Sequence, residues 1–234
     1  MKRFLLLLGV TAALACVVQA QKVTWRASKH YNAMVTKFEN RNDIDTNTIV
    51  MLGNSLTEFG RDWSAKLGVD NVVNYGIMGD NTRGILHRLC QITPHQPKAI
   101  FLMIGINDVT QRETAATIFE RCRNVIDSIG VQSPQTHLFI QSLLPINQNV
   151  RVWKKLINQE EKIIALNSLL SAYCQEQELV FIDLYPLFLD EEGKRLRPEL
   201  TADGLHVNAE GYRIWGEALQ PFLETLHENP VSVE

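Results

Sequence analysis

Ser55 lies in the segment MLGNSLTE, residues 51–58, directly after an apolar run that is typical of a strand. A serine hydroxyl attacks an acyl group only when a neighbouring base takes its proton. The start of a helix helps such chemistry, because its free backbone N–H groups and its dipole favour a developing negative charge. The same residue types also fit an ordinary strand end, in which Asn54 or Ser55 caps the next helix. The segment alone therefore leaves open whether Ser55 attacks or caps.

A candidate base lies near the end of the chain, where Asp203 and His206 are three residues apart. Histidine is the commonest general base near neutral pH, and a carboxylate fixes its tautomer and orientation. An extended chain would hold the two side chains roughly 10 Å apart, whereas one tight turn, which Gly204 favours, brings them to about 5–6 Å. Two alternatives stay open: a surface histidine near a helix start, and a metal site, which lacks a further His/Asp cluster.

Gly79 and Asn107 are candidate hydrogen-bond donors to an oxyanion. The backbone N–H of Gly79 is not shielded by a side chain, and the Asn107 side chain carries an NH₂ group. Preorganised donors of this kind stabilise the tetrahedral intermediates of acyl transfer. Each residue also has a structural interpretation, Gly79 as a turn glycine and Asn107 as part of a helix cap.

These residues follow the strands of a predicted parallel sheet. Five short segments are apolar on both faces, as in a sheet covered on both sides; they are Thr48–Leu52, Asn71–Tyr75, Ala99–Ile104, His137–Gln141 and Leu179–Asp183. Helical patterns precede, separate and follow them at Ala27–Asn40, Thr82–Ile92, Ala115–Ile129, Val152–Cys174 and Ala209–His227. The alternation predicts one α/β domain with helices on both faces, and ligands of such sheets bind beyond the carboxyl ends of the strands.

Four segments together resemble the four conserved blocks of the SGNH hydrolases, also called the GDSL esterase/lipase family. The segments are Gly53–Thr57, Gly79–Asn81, Gly105–Asp108 and Asp203–His206. Their order and separations match, and they extend over nearly all of the chain after residue 20. The resemblance implies a three-layer α/β/α sandwich with a five-stranded parallel sheet, close to the flavodoxin fold.

The resemblance also implies a role for each matched residue. Ser55 is the expected nucleophile, His206 the base, and Asp203 the residue that orients the base. The backbone N–H groups of Ser55 and Gly79 and the side chain of Asn107 are the expected oxyanion hole. The implied reaction is ester hydrolysis through an acyl-enzyme, which needs no metal or cofactor.

The expected substrate is a short-chain ester, in particular an acetyl group on a carbohydrate. The family often has aspartate where this chain has Asn54, and the GNS form resembles bacterial esterases that act on acetylated sugars. Asn54 and Asn147 are predicted to contact substrate; Pro145, Asn147 and Trp153 either shape the pocket or form a plain loop. A lysophospholipase or thioesterase of the same family is the alternative. A non-catalytic carbohydrate-binding protein is a more remote alternative. Such a protein does not need the complete set of catalytic and oxyanion residues, which is Ser55, Gly79, Asn107, Asp203 and His206.

Residues 1–20 are predicted to be a secretory signal, which makes residues 21–234 the functional domain. Lys2 and Arg3 precede a 15-residue apolar run, residues 4–18, which is shorter than the roughly 20 residues that span a bilayer. A membrane anchor, or lipidation at Cys16, is the alternative to cleavage after Ala20. We therefore expect an exported protein, periplasmic or secreted, that is not inserted in a membrane.

The charge pattern argues against a nucleic-acid or anionic-membrane partner. The formal net charge is −3, and loss of the two positive charges of Lys2 and Arg3 takes it to −5. No cluster of Lys and Arg stands out along the chain.

Cys90, Cys122 and Cys174 remain after the signal, widely spaced and without a CxxC motif. We expect three buried, unpaired thiols; a disulfide framework is the alternative, and no spacing supports a metal site.

Overall fold

Five parallel strands form one sheet in the order β2-β1-β3-β4-β5. The computed structural model describes residues 27–228 except 112 and 152, so the predicted signal segment and its Cys16 alternative lie outside the described residues. The strands are β1 (Ile49–Gly53), β2 (Val72–Gly76), β3 (Ala99–Met103), β4 (His137–Gln141) and β5 (Val180–Ile182). All five agree with the predicted segments to within one or two residues at each end.

Helices cover both faces of the sheet. They are α1 (Lys29–Glu39), α2 (Ser55–Phe59), α3 (Trp63–Leu67), α4 (Thr82–Arg88), α5 (Ile106–Val109), α6 (Ala115–Gln132), α7 (Glu160–Glu176) and α8 (Ala209–Glu228). Strand β2 lies at the edge of the sheet, on one side of β1, and β3 lies on the other side of β1. Because connections between parallel strands are right-handed, α2 and α3 lie on one face of the sheet and α4 lies on the opposite face. Helices α4, α6 and α7 pack in series, and α3 packs against α8. The predicted three-layer α/β/α architecture is confirmed.

The predicted helix from Val152 to Cys174 was wrong in its first third. Helix α7 begins only at Glu160, because Asn158 adopts a left-handed backbone conformation (φ 56°) that a right-handed helix cannot contain. The described residues between β4 and α7 instead form a loop at the carboxyl edge of the sheet, where they contribute to the site described below.

An aromatic cluster joins α8 to the segment that carries Ser55. The Trp63 and Trp215 rings meet edge to face with centroids 5.2 Å apart, and Tyr212 stacks on Trp215 at 6.0 Å. The Tyr212 hydroxyl donates to the backbone oxygen of Leu56 (2.7 Å). The last helix therefore fixes the position of α2 through both packing and a buried hydrogen bond.

The prediction of three buried thiols held for two of them. Cys122 and Cys174 are buried, Cys90 is exposed, and all three are unpaired. Cys90 lies in a 3₁₀ turn, Leu89–Gln91, that follows α4 directly. Leu89 and Ile92 are buried and continue the apolar stripe to its predicted end, whereas Cys90 between them faces solvent.

Within residues 27–228, no helix is long and apolar enough to cross a bilayer.

Candidate active site

Ser55 is the first residue of α2, immediately beyond the carboxyl end of β1. The Asn54 side-chain oxygen accepts the backbone N–H of Leu56 (2.9 Å), so Asn54 is the helix cap. This answers the question that the sequence left open, because the Ser55 hydroxyl is free for another partner. Gly53 makes the sharp strand-to-helix connection possible, since a Cβ there would lie 2.2 Å from the Thr57 hydroxyl and 2.6 Å from the Met103 backbone oxygen.

Ser55, His206 and Asp203 form one chain of hydrogen bonds. The Ser55 Oγ lies 2.9 Å from His206 Nε2, and His206 Nδ1 lies 2.7 Å from Asp203 Oδ2. With Nδ1 facing a carboxylate, Nδ1 carries the ring proton and Nε2 is left as an acceptor for the serine proton. Both ring nitrogens are thus engaged in the arrangement that nucleophilic activation by histidine requires.

The Asp203–His206 segment is the tight turn that the sequence predicted. Gly204 has a φ of +78°, and a Cβ there would meet the Asn147 backbone oxygen at 2.1 Å, so the turn requires glycine. Asp203 Oδ1 accepts the backbone N–H groups of Leu205 (3.0 Å) and His206 (2.8 Å). Burial alone would raise the pKa of Asp203, but the hydrogen bonds from the His206 ring and from these N–H groups outweigh it and hold the pKa below the usual range.

Two aromatic rings flank His206. The Phe59 ring, at the end of α2, has its centroid 4.9 Å from the imidazole, and the Trp153 ring lies 5.9 Å away. The Trp153 indole N–H donates to the Asp203 backbone oxygen (2.8 Å). Trp153 therefore contacts the site, which agrees with the first of the two interpretations given for that loop. The sequence analysis did not identify Phe59.

The three candidate oxyanion donors converge because three strands end in register. Gly53 of β1 pairs with Gly76 of β2 and with Met103 of β3, so the segments that follow all emerge at one edge of the sheet. Ser55 and Gly79 follow β1 and β2 directly, and Asn107 follows β3 in α5.

Each donor has an N–H available for a ligand. The side-chain oxygen of the cap residue, Asn54, accepts the backbone N–H of Leu56. The backbone N–H of Ser55 therefore has no acceptor among the described residues. Gly79 has a φ of +79° with open space where a Cβ would point. The Asn107 NH₂ donates one hydrogen to the Asp80 backbone oxygen (2.7 Å), which leaves its second hydrogen free.

A buried ion pair lies beneath these donors. Arg88 Nε donates to Asp80 Oδ2 (2.9 Å), and Arg88 Nη2 donates to the Gly53 backbone oxygen (3.1 Å). Both side chains are fully buried. One guanidinium thus ties the strand end before Ser55 to the residue after Gly79. Burial raises the pKa of Asp80 to about 6, against the opposing effect of the Arg88 charge.

Asp108, next to Asn107, is a second buried carboxylate in the same layer. It accepts the Thr82 hydroxyl at Oδ1 (2.7 Å) and the Thr82 backbone N–H at Oδ2 (3.1 Å). Burial raises its pKa, although the Thr82 hydrogen bonds act in the opposite direction. The two bonds to Thr82 fasten α5, which follows β3, to the start of α4.

Glu58 adds a tie on the outer side of this loop. Its carboxylate accepts the backbone N–H of Met78, the residue before Gly79, and lies 3.0 Å from His30 Nε2. Helix α2 therefore supports the neighbouring oxyanion donor as well as carrying the nucleophile.

Asn54 and Asn147 have structural partners in the loops that carry the site. Asn54 is fully buried as the helix cap, and Asn147 is 5% exposed, with its NH₂ group donating to the Leu196 backbone oxygen (2.7 Å). The Asn147 backbone N–H also donates to the Gly204 oxygen (2.8 Å), which clamps the Asp203–His206 turn. Their contact with substrate stays a prediction.

The metal alternative for Asp203 and His206 gains no further ligands. Across the part of the chain that the structure describes, no three His, Cys, Asp or Glu side chains are grouped to hold a metal ion.

The sequence profile of the GDSL-like lipase/acylhydrolase family matches residues 24–214. No curated protein matches the chain.

Several solved structures share the fold. A Streptococcus pneumoniae protein, provisionally named a platelet activating factor, is 25% identical, with a TM-score of 0.74 over 83% of this chain and 93% of its own. A GDSL-like lipase from Bacteroides thetaiotaomicron is 22% identical, with a TM-score of 0.72 over 83% and 97%. An acetyl xylan esterase is 18% identical, with a TM-score of 0.61 over 75% and 99%.

Proposed function

The chain belongs to the GDSL-like lipase/acylhydrolase family, whose members hydrolyse ester bonds, and from that premise we propose that it is a serine esterase for short acyl groups, chiefly acetyl groups on carbohydrates. The observation that carries the proposal is the hydrogen-bonded chain from Ser55 Oγ through His206 to Asp203, with distances of 2.9 and 2.7 Å. It supplies a nucleophile, a base and an orienting carboxylate at one point.

In the acylation step, Ser55 Oγ bonds to the ester carbonyl carbon while His206 Nε2 takes the serine proton. The carbonyl oxygen becomes an oxyanion within reach of the N–H groups of Ser55, Gly79 and Asn107. The carbon–oxygen bond to the alcohol then breaks, and His206 returns its proton to the leaving oxygen. Asp203 stays ionised throughout and stabilises the imidazolium.

In the deacylation step, water takes the place of the alcohol. His206 removes a proton from the water, whose oxygen bonds to the acyl carbon of the Ser55 ester. The second tetrahedral intermediate collapses to a free acid, and the His206 proton returns to Ser55. The cycle thus consumes one ester and one water and yields one acid and one alcohol.

Two features support a short acyl group. Ser55 is only 5% exposed, at the bottom of a site flanked by the Phe59 and Trp153 rings. An acetyl xylan esterase has the same fold, which supports an acetylated carbohydrate as the substrate class.

A lipid acylhydrolase, such as a lysophospholipase or thioesterase, is the second candidate. The observation in its favour is an apolar rim, because Phe59, Met78 and Trp153 are each about 40% exposed near the site. Such a rim is able to receive an acyl chain as well as a sugar ring.

A chain-length series of p-nitrophenyl esters separates the candidates. We expect the highest kcat/KM for the acetate, a steady decline with longer chains, and no turnover above background for Ser55→Ala. A maximum of kcat/KM at an acyl chain length on the order of eight carbons would favour the lipid candidate. Binding of acetylated sugar without release of acetate would favour the non-catalytic alternative.

We also propose that the protein is exported after cleavage following Ala20. The support is the basic start and short apolar run of residues 1–20. N-terminal sequencing of the protein from the culture or periplasmic fraction should begin at Gln21; a start at Cys16 with an attached lipid would replace this proposal with the lipoprotein alternative.

A further inference from the structure

A basic cleft of about 730 Å³ opens next to His206. Its wall includes Phe59, whose ring packs 4.9 Å from the imidazole, and Val207, the residue that follows His206 in the chain. Helices α3 and α8 form its sides. The size is typical of clefts that hold a small ligand. The contact between Phe59 and the imidazole places the cleft next to the site.

Three cations line this cleft, and two of them are uncompensated. Arg213 pairs with Glu210 (2.6 Å) and with Glu217. Arg61 and Lys66 have no carboxylate within ion-pair distance among the described residues. Two free positive charges in one concavity of a chain with a net charge of −3 create a local attraction for an anion.

Hydrogen bonds hold the backbone of Arg61 in place. Arg61 has a φ of +55°, a conformation that is uncommon for residues with a side chain, and its backbone oxygen accepts the Asn74 NH₂ (3.0 Å). Its backbone N–H donates to the Glu58 oxygen (3.0 Å). The carboxylate of the adjacent Asp62 accepts the N–H of Ala65 (2.9 Å), where it caps α3, and forms no ion pair with Arg61.

Lys66 is held from the opposite wall. It lies in the last turn of α3, and its ammonium sits 5.7 Å from the centre of the Tyr212 ring. That contact keeps the charge over the cleft without neutralising it. The two cations are therefore attached to separate, well-supported elements.

The cleft lies on the alcohol side of the reacting ester. His206 Nε2 must return its proton to the leaving oxygen, so the alcohol faces the imidazole and the residues that pack on it. The donors Gly79 and Asn107 belong to the segments after β2 and β3 and face the carbonyl oxygen instead. The rings of Phe59 and Trp153 both flank the imidazole, and the Phe59 side opens into the cleft, which is therefore placed to receive a substituent on the alcohol.

We propose that this cleft binds an anionic group, a carboxylate or a phosphate, carried by the alcohol part of the ester substrate. The inference rests on the proposed esterase function and narrows its substrate class to esters of acidic alcohols. An acidic sugar and a glycerol phosphate share this chemistry, and matched substrates separate them.

The test compares acetate release from two pairs of esters. The first pair is the O-acetylated methyl glycosides of glucuronate and glucose; the second is monoacetylglycerol phosphate and monoacetylglycerol. We expect wild-type protein to prefer the charged member of at least one pair through a lower KM, and the better pair identifies the source of the anion. The preference should shrink as salt rises from about 0.05 M to about 0.5 M.

Charge-removing variants link that preference to the cleft. Arg61→Gln and Lys66→Gln should each lower the charged-to-neutral ratio of kcat/KM by about 5-fold, and the double variant by about 20-fold, a size based on exposed ion pairs. Lys37→Gln, which removes an exposed lysine in α1, is the matched control and should leave the ratio unchanged.

The outcomes separate this inference from the proposed function. Equal KM values for charged and neutral esters, or an unchanged ratio in the double variant, would overturn the cleft assignment while turnover by wild type upholds the esterase. Absence of turnover of every ester, charged or neutral, would instead remove the proposed function.

Discussion

The nucleophile side and the base side of the site are supported in different ways. Arg88 and Asp80, beneath Ser55 and the oxyanion donors, are fully buried, whereas the side chains of Asp203 and His206 are each 19% exposed. The first side is built from strand ends in register and a buried ion pair. The second is one turn of a loop, fastened by hydrogen bonds within the turn and by hydrogen bonds from Asn147 and Trp153 in the loop after β4.

The difference corresponds to what each side does in the proposed reaction. Oxyanion donors are effective only when they are already in place, since any reorganisation raises the barrier. The base must exchange protons with water and let the alcohol leave, so it benefits from an open approach. Rigid burial on one side and partial exposure on the other are thus expected of a hydrolase, and the four predictions below test each side separately.

The largest effect is expected on the base side. Asp203→Asn should lower kcat by about 10⁴-fold, because the amide no longer fixes the productive tautomer of His206. The circular dichroism spectrum should remain that of a folded protein, so the loss of activity would not come from unfolding. A loss below about 10-fold would show that the aspartate is not needed to orient the base.

On the nucleophile side, the expected effect is a loss of folding stability. Arg88→Met leaves the Asp80 carboxylate buried without its partner and should lower the free energy of unfolding by about 3–5 kcal/mol in urea titrations. The double variant Arg88→Met/Asp80→Asn removes both charges and should recover part of that loss. A double variant as unstable as the single one would contradict the account of the ion pair.

A smaller effect is expected from one oxyanion donor. Asn107→Ala should lower kcat by about 10²–10³-fold with little change in KM, because the lost hydrogen bond strengthens in the transition state. Steady-state kinetics on the acetate ester provide the measurement. A change confined to KM would mean that Asn107 binds substrate rather than the oxyanion.

The smallest effect is a pair of opposite pH dependences. The Asp203 pKa is lowered, so its stabilising contribution is present above about pH 4 and is lost as pH falls through the folded-state value. The Asp108 pKa is raised by burial, so its contribution is complete below about pH 4 and is lost as pH rises.

Unfolding of Asp203→Asn and Asp108→Asn at about pH 3 and about pH 7 measures both slopes. Relative to wild type, the destabilisation by Asp203→Asn should be larger at the higher pH, and that by Asp108→Asn should be smaller. Slopes of the same sign would contradict the contrast between the two sides.

Local patterns predicted the fold, and they identified Ser55, Asp203 and His206, which the structure brings together. The reason is that the information lies in short segments. His137–Gln141 reads as a strand from its apolar residues and forms β4 without adjustment. The turn at Asp203–His206 was predictable because Gly204 between the two residues marks a sharp bend, which has a φ of +78°.

Other features depend on contacts between distant residues. The Arg88–Asp80 pair gives no local signal beyond a charge within an apolar helix stripe, and its bond to Gly53 spans 35 positions. The position of Phe59 against His206 depends on α2 meeting the loop before α8. The predicted start of α7 at Val152 was wrong for a different reason. The sequence pattern there is helical, but the left-handed backbone of Asn158 interrupts it.

Covalent labelling of the nucleophile tests the central claim most directly. A fluorophosphonate probe should add one adduct to the intact protein, peptide mapping should place it on Ser55, and His206→Ala should slow the reaction by at least about 10³-fold. Ser55→Ala should take up no label. An adduct on another residue, or undiminished labelling of Ser55→Ala, would contradict the assignment of Ser55 as the nucleophile.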